Sequence, residues 1–301
     1  MQQATLQIFT RTPLHIGAGA SVGDIDQPVI RERHTGFLVI PGSGTKGAIA
    51  DHFLESSTAG GVLTIERTEE GRTILGDDLD ESSAKTKGRL HTGRGGVAFI
   101  EGRLLAFPVR SGKGCFAWVT CPFVLARWAR DTGQTIGTLP PDLQPSEICA
   151  GVDLCADGEA LLEDYVLTQK KLPNGQAVAL DQVTKQTLAE ATDDPLWTQF
   201  CGSRIALVHD EVFAILVRTT CEVPQHVSIN DETGAAADGK LFNQENCPAE
   251  TLFYALLAEV RAGALTALQT KFKDIKVLQL GADATTGLGF CTIRIAPPAE
   301  A

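Results

Sequence analysis

The spacing of apolar residues predicts a chain made mainly of short strands. Residues 5–10, TLQIFT, alternate apolar and polar side chains, and residues 37–40, FLVI, form a short apolar run. Alternation is typical of a strand with one buried face, and a short apolar run between turn residues is typical of a fully buried strand. The same patterns predict two strands within 97–111 and further strands within 116–121, 204–220, 275–281 and 289–295.

Three stretches are predicted to be helical. Residues 42–56 form a glycine-rich loop that enters a helix, with Ile49, Phe53 and Leu54 as its buried positions. Residues 122–133 begin with proline and end with glycine, the usual asymmetry of helix termini. The strongest helical pattern lies at 248–263, where Gly263 would end the helix. Its predicted buried stripe consists of Leu252, Phe253, Leu256, Leu257 and Val260.

The order of these elements predicts an α+β fold. Strand, helix, strands, insertion, strands, helix and strands suit a β-α-β-β-α-β core of the ferredoxin-like, RNA-recognition-motif-like kind. We expect one domain over residues 1–301 with large insertions. These are a polar, glycine-rich mobile loop at about 76–96, a weakly patterned insertion at about 134–203, and an extended hairpin or loop within about 210–247, where 226–242 has strand-like ends around an Asp/Gly turn.

The charge distribution leaves a polyanionic partner open. The 301 residues include 26 Lys and Arg against 37 Asp and Glu, a net charge of −11, which by itself argues against nucleic acid. Residues 84–130, however, contain nine Lys or Arg and one acidic residue. Because salt screens charges beyond about 10 Å, this basic band could dock a polyanion on an otherwise acidic body. The alternative is a solvated loop of mixed charge. The aromatic residues Trp118, Phe123 and Trp128 could stack on bases there, although such residues more often belong to the core.

Composition excludes several classes of protein. Hydrophobic residues make up 43%, as in globular proteins, and no apolar run approaches the roughly 18 residues that span a bilayer. The eight cysteines include no C-x-x-C pair and the six histidines no H-x₃₋₅-H pair, so a zinc finger is not expected. The first residues lack the pattern of a secretion signal. We therefore expect a cytoplasmic protein with reduced, mostly buried thiols and no membrane partner.

Two glycine-rich segments are candidate phosphate sites. The first, GSGTKG at 42–47, combines glycines that permit close backbone approach with two hydroxyls and one ammonium group. Its candidate ligands are Ser43, Gly44, Thr45, Lys46 and Gly47. The second, GADATTGLG at 281–289, offers Thr286, Gly287 and Gly289. Each has a structural alternative, an ordinary helix start and a hairpin turn respectively. Two such segments in one small sheet favour phosphate binding.

A histidine and an aspartate, His15 and Asp26, lie eleven positions apart in a glycine-rich loop. A histidine can act as a general acid or base near neutral pH, and an aspartate can accept a proton or hold a divalent cation. Such a pair could promote attack of a ribose 2′-hydroxyl on the adjacent phosphate. The alternative is that Asp26 caps a turn beside Pro28 and that His15 is a hydrogen-bonded structural residue.

Two arginines follow this loop. Alternation in an extended segment would place Arg31 and Arg33 on one face, where two guanidinium groups could grip phosphates. Surface ion pairs with Glu32 are an equally good explanation.

Several of these stretches together resemble the RAMP superfamily of CRISPR proteins. The resemblance is carried, in the expected order, by TPLHIGAG (12–19), GDIDQPVIRERHTGFLVIPGSGTKGAIADHF (23–53), GGVAFIEGRLLAFPVRSGKGCFAWVTCPFVLAR (95–127), HVSINDETGAAADGKLFNQENCPAETLFYALL (226–257) and LQLGADATTGLGFCTIRI (278–295). Within the superfamily, these stretches are similar to the repeated backbone subunit of type III-B (Cmr-type) RNA-guided effectors.

This resemblance implies a ferredoxin-like core with a projecting β-hairpin thumb. Copies of the chain would stack as a helical filament along a guide RNA, together with other subunits of the complex. Each thumb would displace one pair of the guide–target duplex, and single-stranded target RNA, once paired, would be cut there at regular intervals. The family's essential loop aspartate falls on Asp26 and its loop histidine on His15, and cleavage requires a divalent metal, usually Mg²⁺. The segment Ser43 to Lys46 and the closing loop around Gly287 and Gly289 would hold guide phosphates.

Three other functions stay open on the sequence alone. The chain could be a purely structural guide-RNA-binding subunit in which Asp26 only caps a turn. It could be a single-copy endoribonuclease that processes repeat RNA. It could also be a metabolic enzyme that binds a phosphorylated small molecule.

Overall fold

The computed structural model describes residues 2–19, 21, 23–59, 62–76, 93–140, 142–229 and 236–297. The strands are β1 (Gln3–Thr10), β2 (Val39–Ile40), β3 (Leu54–Ala59), β4 (Val62–Arg67), β5 (Val97–Phe99), β6 (Gly102–Ser111), β7 (Cys115–Thr120), β8 (Glu147–Cys149), β9 (Glu159–Leu162), β10 (Tyr165–Gln169), β11 (Ile205–Val208), β12 (Gln225–Ile229), β13 (Ala236–Asn243), β14 (Leu252–Glu259), β15 (Val277–Gln279) and β16 (Phe290–Ala296). The helices are α1 (Gly42–Ala50), α2 (Glu69–Leu75), α3 (Pro122–Thr132), α4 (Gln182–Ala189), α5 (Pro195–Arg204), α6 (Asp210–Thr219) and α7 (Ala264–Phe272), with short 3₁₀ turns at Asp51–Phe53 and Ala284–Thr286.

One sheet runs through the molecule in the order β15-β16-β1-β14-β6-β7-β11-β8-β10-β9, with β2 paired to β6 and β5 to β14. Its central strands β16, β1, β14 and β6 are antiparallel neighbours. Ile8 of β1 lies opposite Phe253 on one side and Ile293 on the other. Every residue of β1 from 4 to 10 is buried, as expected for a strand covered on both faces.

Helices and the insertion cover this sheet. Helix α7 packs on β14 and β16, and α3 packs on β6 and β14. The indoles of Trp118 and Trp197 lie 4.7 Å apart, and the ring of Phe9 contacts both. Trp118 also donates from Nε1 to the carbonyl of Glu250 at 2.7 Å. The prediction that Trp118 and Trp128 belong to the core is therefore confirmed.

The weakly patterned insertion is ordered and continues the main sheet. Strand β11 pairs in parallel with β7, and β8, β10 and β9 follow it outward. Helix α4 begins at the N-cap Asp181 and α5 at the N-cap Asp194, each of which accepts a backbone hydrogen bond. These short strands and Asx caps are local signals too weak to be distinguished by spacing alone.

The predicted helix at 248–263 is wrong, because this segment is the central strand β14. The residues Leu252, Phe253 and Leu257 are buried, but so are the positions between them that a helix would turn to solvent. A strand buried on both faces needs a continuous apolar run, and any such run contains positions with helical spacing. Gly263 does mark a helix boundary, but it lies at the start of α7, with φ +82°.

Two other boundaries differ from the prediction. In the segment 204–220, predicted to be strand-rich, only 205–208 form a strand, and 210–219 form helix α6. The hairpin region is therefore narrower than the predicted 210–247. The segment 42–47 is not a loop but the first turns of α1, and Leu54 belongs to β3 with 44% exposure. The sequence reasoning also missed the hairpin β3–β4 and helix α2.

The segment 226–242 was predicted to be an extended hairpin or loop. Its strands β12 and β13 pair antiparallel, and Gln225 lies opposite Asn243 where the pairing begins. Most of the predicted mobile loop, residues 77–92, lies outside the described residues. All eight cysteines are free, and six of them are buried. Among the described residues, no helix has the length and apolar character needed to cross a membrane.

Candidate RNA-cleavage site at the base of the hairpin

The exposed Asp26 lies at the base of the hairpin β12–β13, held by Asn243. Its backbone N–H donates to Asn243 Oδ1 at 2.7 Å, and its Oδ2 accepts the backbone N–H of Asn243 at 2.9 Å. The Asn243 amide donates in turn to the carbonyl of Asp24 at 2.8 Å. The other carboxylate oxygen of Asp26, Oδ1, accepts no hydrogen bond from the described residues. The site therefore presents one fixed carboxylate to solvent.

The buried residue Glu245 continues this contact along the chain. Its backbone N–H donates to the carbonyl of Gln27 at 2.9 Å, and its Oε2 accepts from the Val29 N–H at 3.0 Å. Its own carbonyl lies 2.8 Å from Nδ1 of His15. Because a carbonyl only accepts, Nδ1 is the donor in this contact. The segment 243–245 therefore bonds both to Asp26, through Asn243, and to the His15 ring, through Glu245.

His15 is 5% exposed and bonds to the Glu245 carbonyl, so it lies in the protein interior rather than in the solvent-facing site. Its carbonyl accepts the N–H of Ala282, which ties it to the closing loop at 281–289. A side chain at Gly17 would lie 3.1 Å from its Nε2. The Ala282 contact joins the glycine-rich loop that carries His15 to the closing loop at 281–289.

Arg31 points into the protein. Its guanidinium donates to the carbonyls of Gly36 and Val217, to Cys221 Sγ, and to Glu245 Oε1 at 2.5 Å. Burial lowers the pKa of Arg31, but Cys221 and Glu245 raise it by more, so it lies above its ordinary value. Burial raises the pKa of Cys221 to about 12. That thiol is neutral at pH 7, and Glu245 is the counter-charge.

The expected common face for Arg31 and Arg33 is wrong. Residues 33–35 form a turn, closed by a bond from the Gly36 N–H to the Glu32 carbonyl, and Arg33 is exposed while Arg31 is not. Glu32 does form an ion pair, but with Arg127 at 2.7 Å rather than with Arg31 or Arg33. A turn here breaks the alternation on which the prediction depended.

The first candidate phosphate segment lies in α1, with a helix start free of any side-chain cap. Ser43, Gly44 and Gly47 are exposed, Lys46 is half-buried, and Thr45 is buried. A side chain at Gly42 would meet the carbonyl of Phe99 at 2.1 Å, so close packing against β5 requires glycine there. Among the described residues, nothing outside the local helix backbone lies within 4 Å of a Cβ placed at Gly44 or Gly47, so a ligand can approach the chain closely there, although the Gly44 N–H already donates to the Pro41 carbonyl at 2.9 Å.

The closing loop is held by positive-φ glycines. A side chain at Gly289 would lie 1.9 Å from the carbonyl of Leu280, and one at Gly281 would lie 2.2 Å from that of His15. These two positions require glycine because of the protein's own backbone. Gly287, with φ +90°, faces open space, and the hydroxyl of the exposed Thr286 donates to the carbonyl of Asp283. The Cα atoms of α1 come within 8 Å of those of β15, which leads into this loop.

The basic band is mostly neutralised within the described residues. Three of its members, Lys85, Lys87 and Arg89, lie outside the described residues. The ion pairs of the band are Arg103–Asp131, Arg110–Glu163, Arg127–Glu32 and Arg130–Asp131. Phe123 is exposed, with the Arg127 guanidinium 5.2 Å from its ring centroid. The band is therefore not a free cationic surface over 93–130.

A divalent metal fits this site only in a solvated form. Among the described residues, no group of three or more His, Cys, Asp or Glu side chains could hold a metal ion. Magnesium commonly keeps several waters and binds through one or two carboxylates plus substrate phosphates. The exposed carboxylate of Asp26, with Oδ1 open, suits that chemistry.

Sequence reasoning missed Asn243 and Glu245. They belong to a run of four polar residues, 243–246, three of which are buried. The available signal was this polar run between two strands, but its partners are more than 200 residues away.

Comparison with known proteins identifies the family of this chain. The sequence profile of the RAMP superfamily matches residues 8–292. The CRISPR system Cmr endoribonuclease Cmr4 of Pyrococcus furiosus is 31% identical over 307 residues, covering 98% of this chain and 96% of that protein. The crystal structure of oligomeric Cmr4 from Pyrococcus furiosus superposes with a TM-score of 0.70 at 24% identity, covering 100% of both chains.

A chain of the type III-B Cmr-beta cryo-EM structure, bound to cognate target RNA, also has a TM-score of 0.70, at 17% identity, with 98% of this chain and 97% of that chain covered. At this level of identity the likeness concerns the fold, a mixed α+β architecture. The profile match and the identity to Cmr4 extend over nearly the whole sequence, and the chain therefore belongs to the RAMP superfamily.

Proposed function

We propose that this chain is the backbone subunit of a type III-B CRISPR effector and that it cleaves complementary target RNA. The observation that carries the proposal is the 31% identity to the Cmr endoribonuclease Cmr4 over 98% of the chain. Guide RNA, target RNA, further copies of the chain and other effector subunits are its partners in defence against foreign RNA. Location in the cytoplasm stays a prediction.

The proposed core is ferredoxin-like, and the proposed thumb is the hairpin β12–β13. Support for the core comes from the antiparallel order β16-β1-β14-β6, in which α1 follows β1 and α7 follows β14 in the chain. Support for the thumb comes from its separate two-stranded pairing, outside the main sheet. Cleavage at regular intervals would then follow from one hairpin and one Asp26 per stacked copy.

Guide binding is proposed to be independent of sequence. The exposed Ser43, Gly44 and Gly47 and the ammonium group of Lys46 line the uncapped start of α1, where backbone N–H groups favour phosphate. The exposed Thr286 and the half-buried Gly287 offer a second stretch of backbone, and Arg33 an exposed side chain. Buried Thr45 and the ion-paired Arg31 would act by supporting these groups.

In cleavage, Asp26 is proposed as the catalytic residue. Its Oδ2 is fixed by Asn243, which leaves Oδ1 to accept the proton of the attacking 2′-hydroxyl or to orient it. A bound Mg²⁺, held by Asp26 with water and RNA phosphate oxygens, would supply charge stabilisation. His15 is buried and bonded to Glu245, which favours a positioning role over direct proton transfer.

Asp26→Asn in the reconstituted complex tests the proposal. Target cleavage is expected to fall at least about 10³-fold, while guide and target affinities stay within about twofold. Asp24→Asn is the matched control, because Asp24 is an exposed acid of the same loop that contributes only its carbonyl to the Asn243 contact. Cleavage by Asp26→Asn at the normal rate would favour the structural, non-nuclease subunit. Sedimentation with one protein per RNA would favour the repeat-processing enzyme.

A further inference from the structure

Asn243 makes four hydrogen bonds to the loop that carries Asp26, three of them to Asp24 and Asp26. It accepts the N–H of Asp26 at 2.7 Å, donates its backbone N–H to Asp26 Oδ2 at 2.9 Å, and donates its amide to the carbonyl of Asp24 at 2.8 Å. Reciprocal bonds between the same two residues fix both the position and the direction of the carboxylate. Without them, a carboxylate on an exposed loop would sample several rotamers.

Asn243 is also the last residue of β13 and lies opposite Gln225 at the base of the hairpin. The chain then runs through the bridge between Gln27 and Gln244 toward the buried strand β14. The backbone N–H of Gln27 donates to the Asn243 carbonyl at 3.2 Å, so Asp26 is tied to this residue on its C-terminal side as well. The hairpin and the Asp26 loop consequently share one anchoring point.

We propose that Asn243 is a positioning residue for target-RNA cleavage, which fixes the Asp26 carboxylate to the base of hairpin β12–β13 so that both hold one orientation relative to the RNA. This inference rests on the proposed function of Asp26. It adds a residue whose side chain bonds to Asp26 and Asp24 and would act through them. A misplacement of about 1 Å at a catalytic group can cost about 10²-fold in rate.

The test is Asn243→Ala in the full reconstituted complex with guide RNA. The substitution removes the two side-chain bonds, to the Asp26 N–H and the Asp24 carbonyl, and keeps the backbone bond to Asp26 Oδ2, so it tests how firmly the side chain holds the Asp26 loop. We expect the single-turnover cleavage rate at saturating target to fall about 10- to 100-fold, with target affinity within about twofold of the unmodified complex. Amide hydrogen exchange should become at least about tenfold faster for residues 24–27 and stay unchanged in β1 and β14, which reports local release rather than unfolding. The matched control is Asn174→Ala, whose side chain likewise accepts one backbone N–H, from Gln176, in a turn of the insertion.

The outcomes separate the two proposals. Cleavage by Asn243→Ala within about twofold of normal, unchanged exchange at 24–27, or a loss of target affinity equal to the loss of rate would each overturn the positioning role. If Asp26→Asn is inactive in the same assay, such a result leaves the proposed function standing. If Asp26→Asn cleaves normally, both proposals fail together.

Discussion

Replacing Arg31 with methionine separates a structural role of this residue from the RNA-binding role suggested by the sequence. The substitution removes the counter-charge of Glu245, whose side chain is only 5% exposed. The carboxylate would then keep one bond, from the Val29 N–H. Removing one partner of a buried ion pair costs about 3–5 kcal/mol. Because 19% of the Arg31 side chain is exposed, we expect the lower end, about 3 kcal/mol, or about 6 °C in melting temperature.

Arg33→Met is the matched control in the same segment. Arg33 is exposed, so its loss should change stability by less than about 0.5 kcal/mol. If Arg33 contacts phosphate, the same variant should flatten the salt dependence of guide affinity by about one unit of slope. Thermal unfolding at pH 7 and guide titrations at several salt concentrations measure both effects. An Arg31→Met protein that melts within 1 °C of the original and loses guide affinity as Arg33→Met does would refute the structural assignment.

Three further substitutions probe buried charge and backbone geometry. Burial, with a further contribution from Asp194, raises the pKa of Glu250 to about 7 from an ordinary 4.5. The folded protein therefore favours the protonated carboxyl, and this contribution to the free energy of unfolding is complete below pH 4.5 and is lost as pH rises through 7. Glu250→Gln should therefore melt about 2 °C higher than the original at pH 8, with no difference at pH 4, in paired thermal scans; equal differences at both pH values would contradict this. Gly281→Ala forces a methyl group against the His15 carbonyl at positive φ and should lose more than about 2 kcal/mol in denaturant unfolding. Gly287→Ala, at positive φ but in open space, should lose only about 1 kcal/mol, and equal losses for the two would show that contact plays no part.

Local signals made part of the fold predictable. Helix α3 was predicted with its bounds because Pro122 begins it and Gly133, at φ +74°, ends it. Strands β1 and β16 were predicted because short apolar patterns between turn residues leave few alternatives. Strand β14 was not predicted. A continuous apolar run fits both the helical and the strand period, and only the pairing with β1 and β6 decides between them.

The site was predictable only in its separate parts. Asp26 and the segment 42–47 could be selected from residue types and from the family resemblance. That Asn243, 217 positions along the chain, would hold Asp26 depends on how two distant segments meet. In the same way, the inward orientation of Arg31 could not be predicted, because it depends on the ion pair with the buried and distant Glu245.

The continuity of the sheet into residues 134–204 has a consequence for anyone who would shorten this protein. Excising that stretch as a removable module would remove β8, β9 and β10, leave the outer edge of β11 unpaired and uncover Trp118, whose indole packs on Trp197. It would also take away Asp194, which accepts the hydroxyl of Thr292 in β16. A minimal scaffold has to keep this stretch and be trimmed elsewhere.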